Sequence, residues 1–396
     1  MVEAPPGFQA APATRHTSGV VSPQRRGEPR TPWVPSKQAP IRSRSPSLVM
    51  LRDDLHLEAV SIGLPVVRAY EACDTSNSAA AQIAHERNVS RAARIAMAVS
   101  PLPVVAILFF GTHFERLPLL HIAYQSYFKW LVYMSPSAEI AAALKRAEAQ
   151  RRPSGPLTRA ATHHCKRGIK ATYACVADVA GRFVADDTVG VLYLHFDLWF
   201  QPWRLVASLS MLRRLWFLPS GRIMLKAAGP TRLLPLECFN SSRPTQYRGR
   251  YPMWTWDRDL PQAREGLRRA CAAAPALAGS GFCKRAPGVA TPEERLCIGW
   301  ADAYYLPTAR LPGFSALARA FSSTNANSEI ALPTIMHMLA QHGTTAPAPA
   351  LQRLPCWGFC CSLTGCPEVL AQHPCGHRML LNDARVRTAV ELLWSV

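Results

Sequence analysis

Residues 190–203 read GVLYLHFDLWFQPW. Val191, Leu192, Tyr193 and Leu194 make a continuous apolar run, the pattern of a strand buried on both faces. His195 and Asp197 fall where that strand would end, with Trp199, Pro202 and Trp203 behind them. In an open α/β sheet, ligands bind beyond the carboxyl ends of the strands, so a polar pair at a buried strand's exit is a candidate site. An Asp that only caps a turn is the other reading of the same position.

Working outward, residues 104–110 (VVAILFF) predict a second buried strand, ending at Gly111. A helix over 117–128 follows, with Leu120, Tyr124, Tyr127 and Phe128 on one face. Residues 130–134 (WLVYM) are another short apolar run, closed by Ser135 and Pro136. Strand, helix, strand within one short span is a βαβ unit and predicts a parallel sheet. That order puts Gly111, Thr112 and His113 at a strand's carboxyl end, where a nucleotide would lie. A polar linker with Pro153, Gly155 and Pro156 leads to a further helix. Its face is Ile169, Tyr173, Val176, Ala177 and Ala180, and Asp186, Asp187 and Gly190 close it. The chain thus reads β-α-β, linker, α-β, which is doubly wound logic.

The chain has 396 residues, 48% of them hydrophobic, enough for a sizeable core in one or two domains. Lys plus Arg is 45 against 26 acids, a formal charge of +19. The excess is spread along the chain, which argues against nucleic acid as the main partner, and a basic field also suits a diphosphate. No apolar run is long enough to cross a membrane, and no signal-peptide core follows Met1. Residues 1–50 are rich in Pro, Ser and Arg and carry only Glu3 and Glu28 as acids, which predicts a disordered tail, an organelle transit peptide being the alternative. Residues 51–100 are mixed, with a helix expected over 79–99. The organisation expected is a disordered, low-complexity region over 1–100 and one folded domain over 101–396.

Past the centre, 203–225 reads as helix then strand, and 233–239 as a short apolar run. Residues 251–259 (YPMWTWDRD) set Trp254 and Trp256 beside Asp257 and Asp259. Two aromatics on one side of a strand can stack on a sugar while carboxylates take its hydroxyls. Core tryptophans and capping acids explain the same residues, with Pro261 opening a helix to Ala274. Residues 300–306 predict a strand with Asp302 near its start, and Phe314, Leu317 and Phe321 one face of a helix. Asn327 and Ser328 suit a helix cap with Glu329 in the first turn, where a carboxylate also complements the helix dipole. Pro333 predicts a bent helix or a later start. In segment 354–378, Cys356, Cys360, Cys361, Cys366, Cys375 and His377 admit disulfides, buried thiols or zinc. Residues 386–394 predict an amphipathic helix packed on the sheet.

The succession of VAILFFG, an amphipathic helix, WLVYMSP, the YACVADVA helix and GVLYLHFDLWFQPW resembles glycosyltransferases of the GT-A type. More closely, it is similar to a group of uncharacterised glycosyltransferase-like proteins of algae and fungi, over residues 101–396. The resemblance implies an α/β, GT-A-like (Rossmann-related) fold, a mixed, mainly parallel sheet flanked by helices. It implies metal-assisted transfer from a nucleoside-diphosphate sugar to a carbohydrate or glycoprotein acceptor, in the Golgi or secretory lumen. Such enzymes place Asp-x-Asp at this strand's end; here the tripeptide is His195-Phe196-Asp197, so the first acid is replaced. Asp197 would keep the role of holding Mn²⁺ or Mg²⁺ and the donor, with His195 as second ligand. Arg378, in the closing HPCGHR, would meet the diphosphate, and Trp254, Trp256 and Asp257 the acceptor. Glu329, or else Asp302, would be the base of an inverting reaction. The replaced acid equally suits a catalytically inactive, ligand-binding relative. The charge and the terminal Cys/His group leave a zinc-stabilised nucleic-acid binder as the third reading.

Overall fold

The structure is a computed structural model that describes residues 77–149, 158–207, 209–217, 237–240, 256–274, 282–283, 295–299, 301–341, 352–353, 357–358, 367–377 and 384–394. Among these, the strands in chain order are β1 (Leu102–Phe109), β2 (Phe128–Ser135), β3 (Arg159–His164), β4 (Gly190–His195), β5 (Leu198–Phe200) and β6 (Trp216–Phe217). They continue with β7 (Glu237–Asn240), β8 (Arg295–Ile298), β9 (Ala303–Pro307), β10 (Gln352–Arg353), β11 (Trp357–Gly358) and β12 (Cys375–His377). The helices are α1 (Asn77–Val99), α2 (Leu117–Tyr124), α3 (Glu139–Ala149), α4 (Thr172–Phe183) and α5 (Pro202–Ala207). The later ones are α6 (Trp256–Ala273), α7 (Leu311–Ser322), α8 (Ser328–Gln341), α9 (Pro367–Gln372) and α10 (Ala384–Leu393).

The main sheet has seven strands in the order β10-β6-β9-β4-β1-β2-β3. β1 pairs in parallel with β2 and β4, and β2 with β3. β9 runs antiparallel between β4 and β6, which makes the sheet mixed but mostly parallel. Successive side chains of a strand point to opposite faces, and helices cover both. Val105, Ile107, Phe109, Val191 and Tyr193 pack towards α4, α6, α7 and α8. Their neighbours Val104, Ala106, Leu108, Leu192 and Leu194 pack towards α2, α3, α5 and α10. A strand that must be apolar on both faces reads as an unbroken hydrophobic run, which is why β1, β2 and β4 are legible.

The helix expected over 79–99 is present as α1, and it packs on the elements that follow it. Glu86 is buried and accepts hydrogen bonds from Trp203 Nε1 (3.1 Å) and Arg204 Nη2 (2.9 Å). Ser90 Oγ meets Tyr127 Oη at 3.1 Å. A helix held by polar anchors on distant elements shows little apolar periodicity of its own. The helix expected over 117–128 is shorter, because Phe128 already opens β2 and Leu102 N donates to Tyr127 O at 2.8 Å. α6 begins at Trp256, ahead of Pro261, which therefore lies inside the helix. α8 starts at Ser328 and runs through Pro333.

Two close approaches lock the centre. A Cβ on Gly190 would lie 2.2 Å from Tyr305 Oη, and one on Gly376 would lie 2.6 Å from the Trp199 indole. Trp199 and Gly376 are cross-strand partners in the small β11-β12-β5 sheet, so the indole lies flat where only a glycine leaves room.

The core also holds many phenols. Burial is the largest cause pushing Tyr124, Tyr127, Tyr133, Tyr173, Tyr193, Tyr304 and Tyr305 above their ordinary range. In the unfolded chain each would ionise near about pH 10. The folded state keeps these protons at higher pH, so their contribution is complete below that value and is lost as pH rises beyond it. Each such phenol lowers stability by roughly 1.4 kcal/mol per pH unit in that range. The chain should therefore unfold cooperatively above about pH 10, with tyrosinate absorbance rising in the same step as the loss of circular dichroism. Gradual ionisation of these tyrosines ahead of unfolding would contradict the burial assigned to them.

Candidate functional site at the carboxyl edge of β1 and β4

The apolar run of β4 carries His195 to the sheet's edge, and the ladder fixes it there. His195 N donates to Asp302 O at 2.8 Å, and Phe196 N donates to Phe109 O at 3.0 Å. The end of β4 is thus clamped between the end of β1 and the residue that precedes β9. The chain then turns, and the Asp197 side chain comes back under His195, with Nδ1 of the imidazole hydrogen-bonded to Asp197 Oδ1. A carboxylate on Nδ1 selects the tautomer with the proton on that nitrogen and leaves the Nε2 lone pair available. Both side chains are largely enclosed, at 14% and 8% exposure.

Tyr193 reports on the same place from below. Its hydroxyl is pushed well above the usual phenol range, by burial first, with the Asp302 and Asp197 carboxylates adding to the effect against a hydrogen bond with Thr172. Both acids therefore act on one buried group, although 105 positions separate them in the sequence.

Aromatic and basic groups wall the other side. The His195 ring stacks on Phe109 at 5.7 Å and lies 4.7 Å from Phe196. Phe196 in turn touches the His113 ring at 5.4 Å, and the buried Arg116 guanidinium lies 5.5 Å from its centroid, a cation–π placement. His113 takes a left-handed backbone conformation (φ 61°), which turns the chain sharply after β1. Gly111 is half-buried and Thr112 exposed at that strand end. A Cβ on Gly111 would meet only the Phe109 ring, at 3.8 Å.

Glu329 is placed by its main chain. Pro333 has no N–H, so the Glu329 carbonyl loses its partner within α8, and Gly299 N–H takes it at 3.0 Å. Glu329 N donates to Asn327 Oδ1 at 3.0 Å, the cap expected of that asparagine. Asn327 Nδ2 donates to Asp259 Oδ2 at 3.0 Å, which ties α6 to the same turn. The first turn of α8 is thereby fixed to a segment three residues ahead of Asp302.

Trp254 and Arg378 lie outside the described residues, as do the side chains of Trp256 and Asp257, whose backbone opens α6. The terminal group is described in part: Cys375 is disulfide-bonded, while Cys356, Cys360, Cys361 and Cys366 lie outside. Residues that the sequence alone did not assign to the site are Arg116, Thr172 and Tyr193. Arg116 follows Glu115 in a charged turn ahead of α2, so its place becomes readable only once Phe196 is known to lie beneath it.

Among the described residues, His195 and Asp197 do not complete a three-ligand group with another His, Cys, Asp or Glu; the one such group is Cys238, Cys297 and His337. Two protein ligands are nonetheless the usual provision for Mg²⁺ when substrate phosphates supply further oxygens. No helix of the described residues is long and apolar enough to cross a membrane.

Fold and site together define an α/β protein with an acid–imidazole edge beyond the carboxyl ends of its central strands. No family model matches the chain, and no curated protein matches it.

Proposed function

We propose that the chain is a GT-A-like glycosyltransferase that moves a sugar from a nucleoside diphosphate to a carbohydrate or glycoprotein acceptor. The observation that carries this reading is the His195–Asp197 pair at the exit of β4, with Asp302 joined to His195 through the main chain. Asp197 and His195 would hold Mn²⁺, which accepts an O,N donor pair, or Asp197 alone would hold Mg²⁺ through oxygen, with diphosphate oxygens completing either shell. When bound, the ion supplies charge neutralisation to the departing diphosphate. With the His195–Asp197 hydrogen bond closed, Nε2 points its lone pair away from the carboxylate, so joint ligation of one ion requires the imidazole to turn and release Asp197 Oδ1.

Of the two candidate bases, Asp302 is favoured by the main-chain bond between its carbonyl and His195 N. In an inverting transfer the acceptor oxygen bonds to the anomeric carbon as the bond to the diphosphate oxygen breaks, and Asp302 takes the acceptor's proton. Glu329 then positions the Gly299–Asp302 segment through its carbonyl. Arg116 adds positive charge beside a site that would receive an anion. The disulfides Cys165–Cys175 and Cys271–Cys283 fit an oxidising lumen such as the Golgi.

The test is calorimetric titration of the full chain with UDP and other nucleoside diphosphates, with and without Mn²⁺. Metal-dependent binding is expected. Failure of every nucleotide in both conditions would overturn the donor-site reading. Metal-dependent binding without turnover on any acceptor would favour the inactive relative, a reading supported by the replacement of the first acid by His195.

A further inference from the structure

Away from the strand-end pair, three soft ligands meet where β7, β8 and α8 join. Cys238 and Cys297 face each other across the antiparallel β7–β8 pair. The Cys238 and Cys297 sulfurs and a His337 ring nitrogen all lie within 4.8 Å of one another. In a tetrahedral zinc site the ligand atoms stand about 3.5–4 Å apart, so this group needs little rearrangement beyond separation of the sulfurs.

Hydrogen bonds join the elements around the group. Thr334, fully buried, receives Cys297 N–H on its Oγ1 at 2.9 Å and donates to Ile330 O at 2.7 Å, which stitches α8 to β8 at the cysteine itself. His337 follows three residues later, on the same helical face. The buried Phe282 ring lies 6.5 Å from the imidazole and closes the site on one side with apolar surface. A hydrophobic shell of this kind controls solvent access to a metal.

The other described cystines differ. Cys165–Cys175 and Cys271–Cys283 span sequence separations of 10 and 12, with Cα atoms 5.6 Å apart, and no third ligand joins either. Cys238 and Cys297 are separated by 59 residues, stand opposite one another in the strand ladder and have Cα atoms 3.9 Å apart.

We propose that Cys238, Cys297 and His337 form a thiol-dependent zinc site. In the oxidised chain the two sulfurs are joined as the cystine seen in the structure. A dithiol reductant opens it, giving two electrons and two protons to the sulfurs and leaving as its own disulfide. Zn²⁺ then displaces both thiol protons and takes two thiolates and the imidazole, with a fourth position for water. Soft thiolates with one imidazole are the donor set that zinc prefers over Mg²⁺ or Mn²⁺. This site is independent of the strand-end pair, so it stands or falls apart from the glycosyl-transfer reading.

The test is alkylation of the full chain, with and without Zn²⁺, read at each cysteine by mass spectrometry. In dithiol-reduced protein, Zn²⁺ should slow modification of Cys238 and Cys297 at least about tenfold, as expected for thiolates occupied by a metal. His337→Ala should abolish that protection. Equal rates at Cys238 and Cys297 with and without Zn²⁺ would overturn the proposal, as would protection confined to other cysteines or kept in full by the variant. Should His337→Ala not fold, the wild-type rates and His337→Gln decide. Co²⁺ in place of Zn²⁺ should give thiolate charge-transfer absorption in reduced protein and none in oxidised protein.

Discussion

Asp197→Asn should abolish metal-dependent binding of nucleoside diphosphates while leaving the melting temperature unchanged or slightly raised. The substitution preserves shape, and the amide oxygen can still accept the hydrogen bond from His195 Nδ1. What disappears is the negative charge, which is the part a divalent cation needs. Removing one partner of a close, enclosed charge interaction costs about 2–5 kcal/mol, or roughly 30-fold and upwards in affinity. Stability moves the other way, because a carboxylate at 8% exposure is held in the fold against its desolvation. The two readings of Asp197 therefore predict opposite patterns. A turn-capping Asp would lose stability on amidation and leave ligand binding intact. Thermal unfolding and nucleotide titration on the same two proteins separate them, and the capping pattern would sink the donor site.

Gly190→Ala should strongly destabilise the main sheet. The new Cβ would lie 2.2 Å from Tyr305 Oη, 2.4 Å from Tyr305 Cζ and 2.6 Å from the Leu306 carbonyl oxygen. The tyrosine cannot swing aside freely, since its hydroxyl donates to Leu212 O at 3.0 Å and its ring stacks on Trp216 at 5.6 Å. The carbonyl belongs to β9, which the β4 ladder holds through five residue pairs. Overpacking of this sort costs about 1–3 kcal/mol where side chains can adjust, and more where backbone must move. A loss at or above the upper end of that range is expected from denaturant unfolding. Adding Tyr305→Ala should recover only part of it, because the clash with the Leu306 carbonyl remains. Full recovery would show that the side chain alone sets the limit, and a neutral Gly190→Ala would refute the close approach of β9 to β4.

Legibility in the sequence followed burial. β1, β2 and β4 are apolar on both faces, and their runs stand out against any neighbouring pattern. β3 does not: its RAATHH is polar, lies at the sheet's edge and joins β2 by backbone pairing, with Thr158 Oγ1 bonded to Phe128 O at 2.9 Å. Its preceding helix α3 buries Ile140, Ala143, Leu144 and Ala147 at helical spacing, a signal interleaved with Lys145, Arg146 and Glu148. Pro333 predicts a bent helix or a later start, yet α8 runs through it. The carbonyl it releases is instead the one that binds Gly299, so the proline connects the helix to the acidic edge.

By itself the sequence determined that a buried strand ends at His195 and Asp197, that a parallel βαβ unit precedes it, and that helices carrying the faces Tyr173–Ala180 and Phe314–Phe321 lie beside it. These are consequences of local pattern, since hydrophobic periodicity and strand-end polarity are carried by residues close together in the chain. The tertiary structure alone decided that Asp302 stands beside His195, that Arg116 covers Phe196, and that Cys238, Cys297 and His337 meet. Each of those contacts depends on the register of strands or the docking of a helix from distant segments. Register is set by the summed packing of two helical layers on one sheet, and no single stretch of sequence contains that sum.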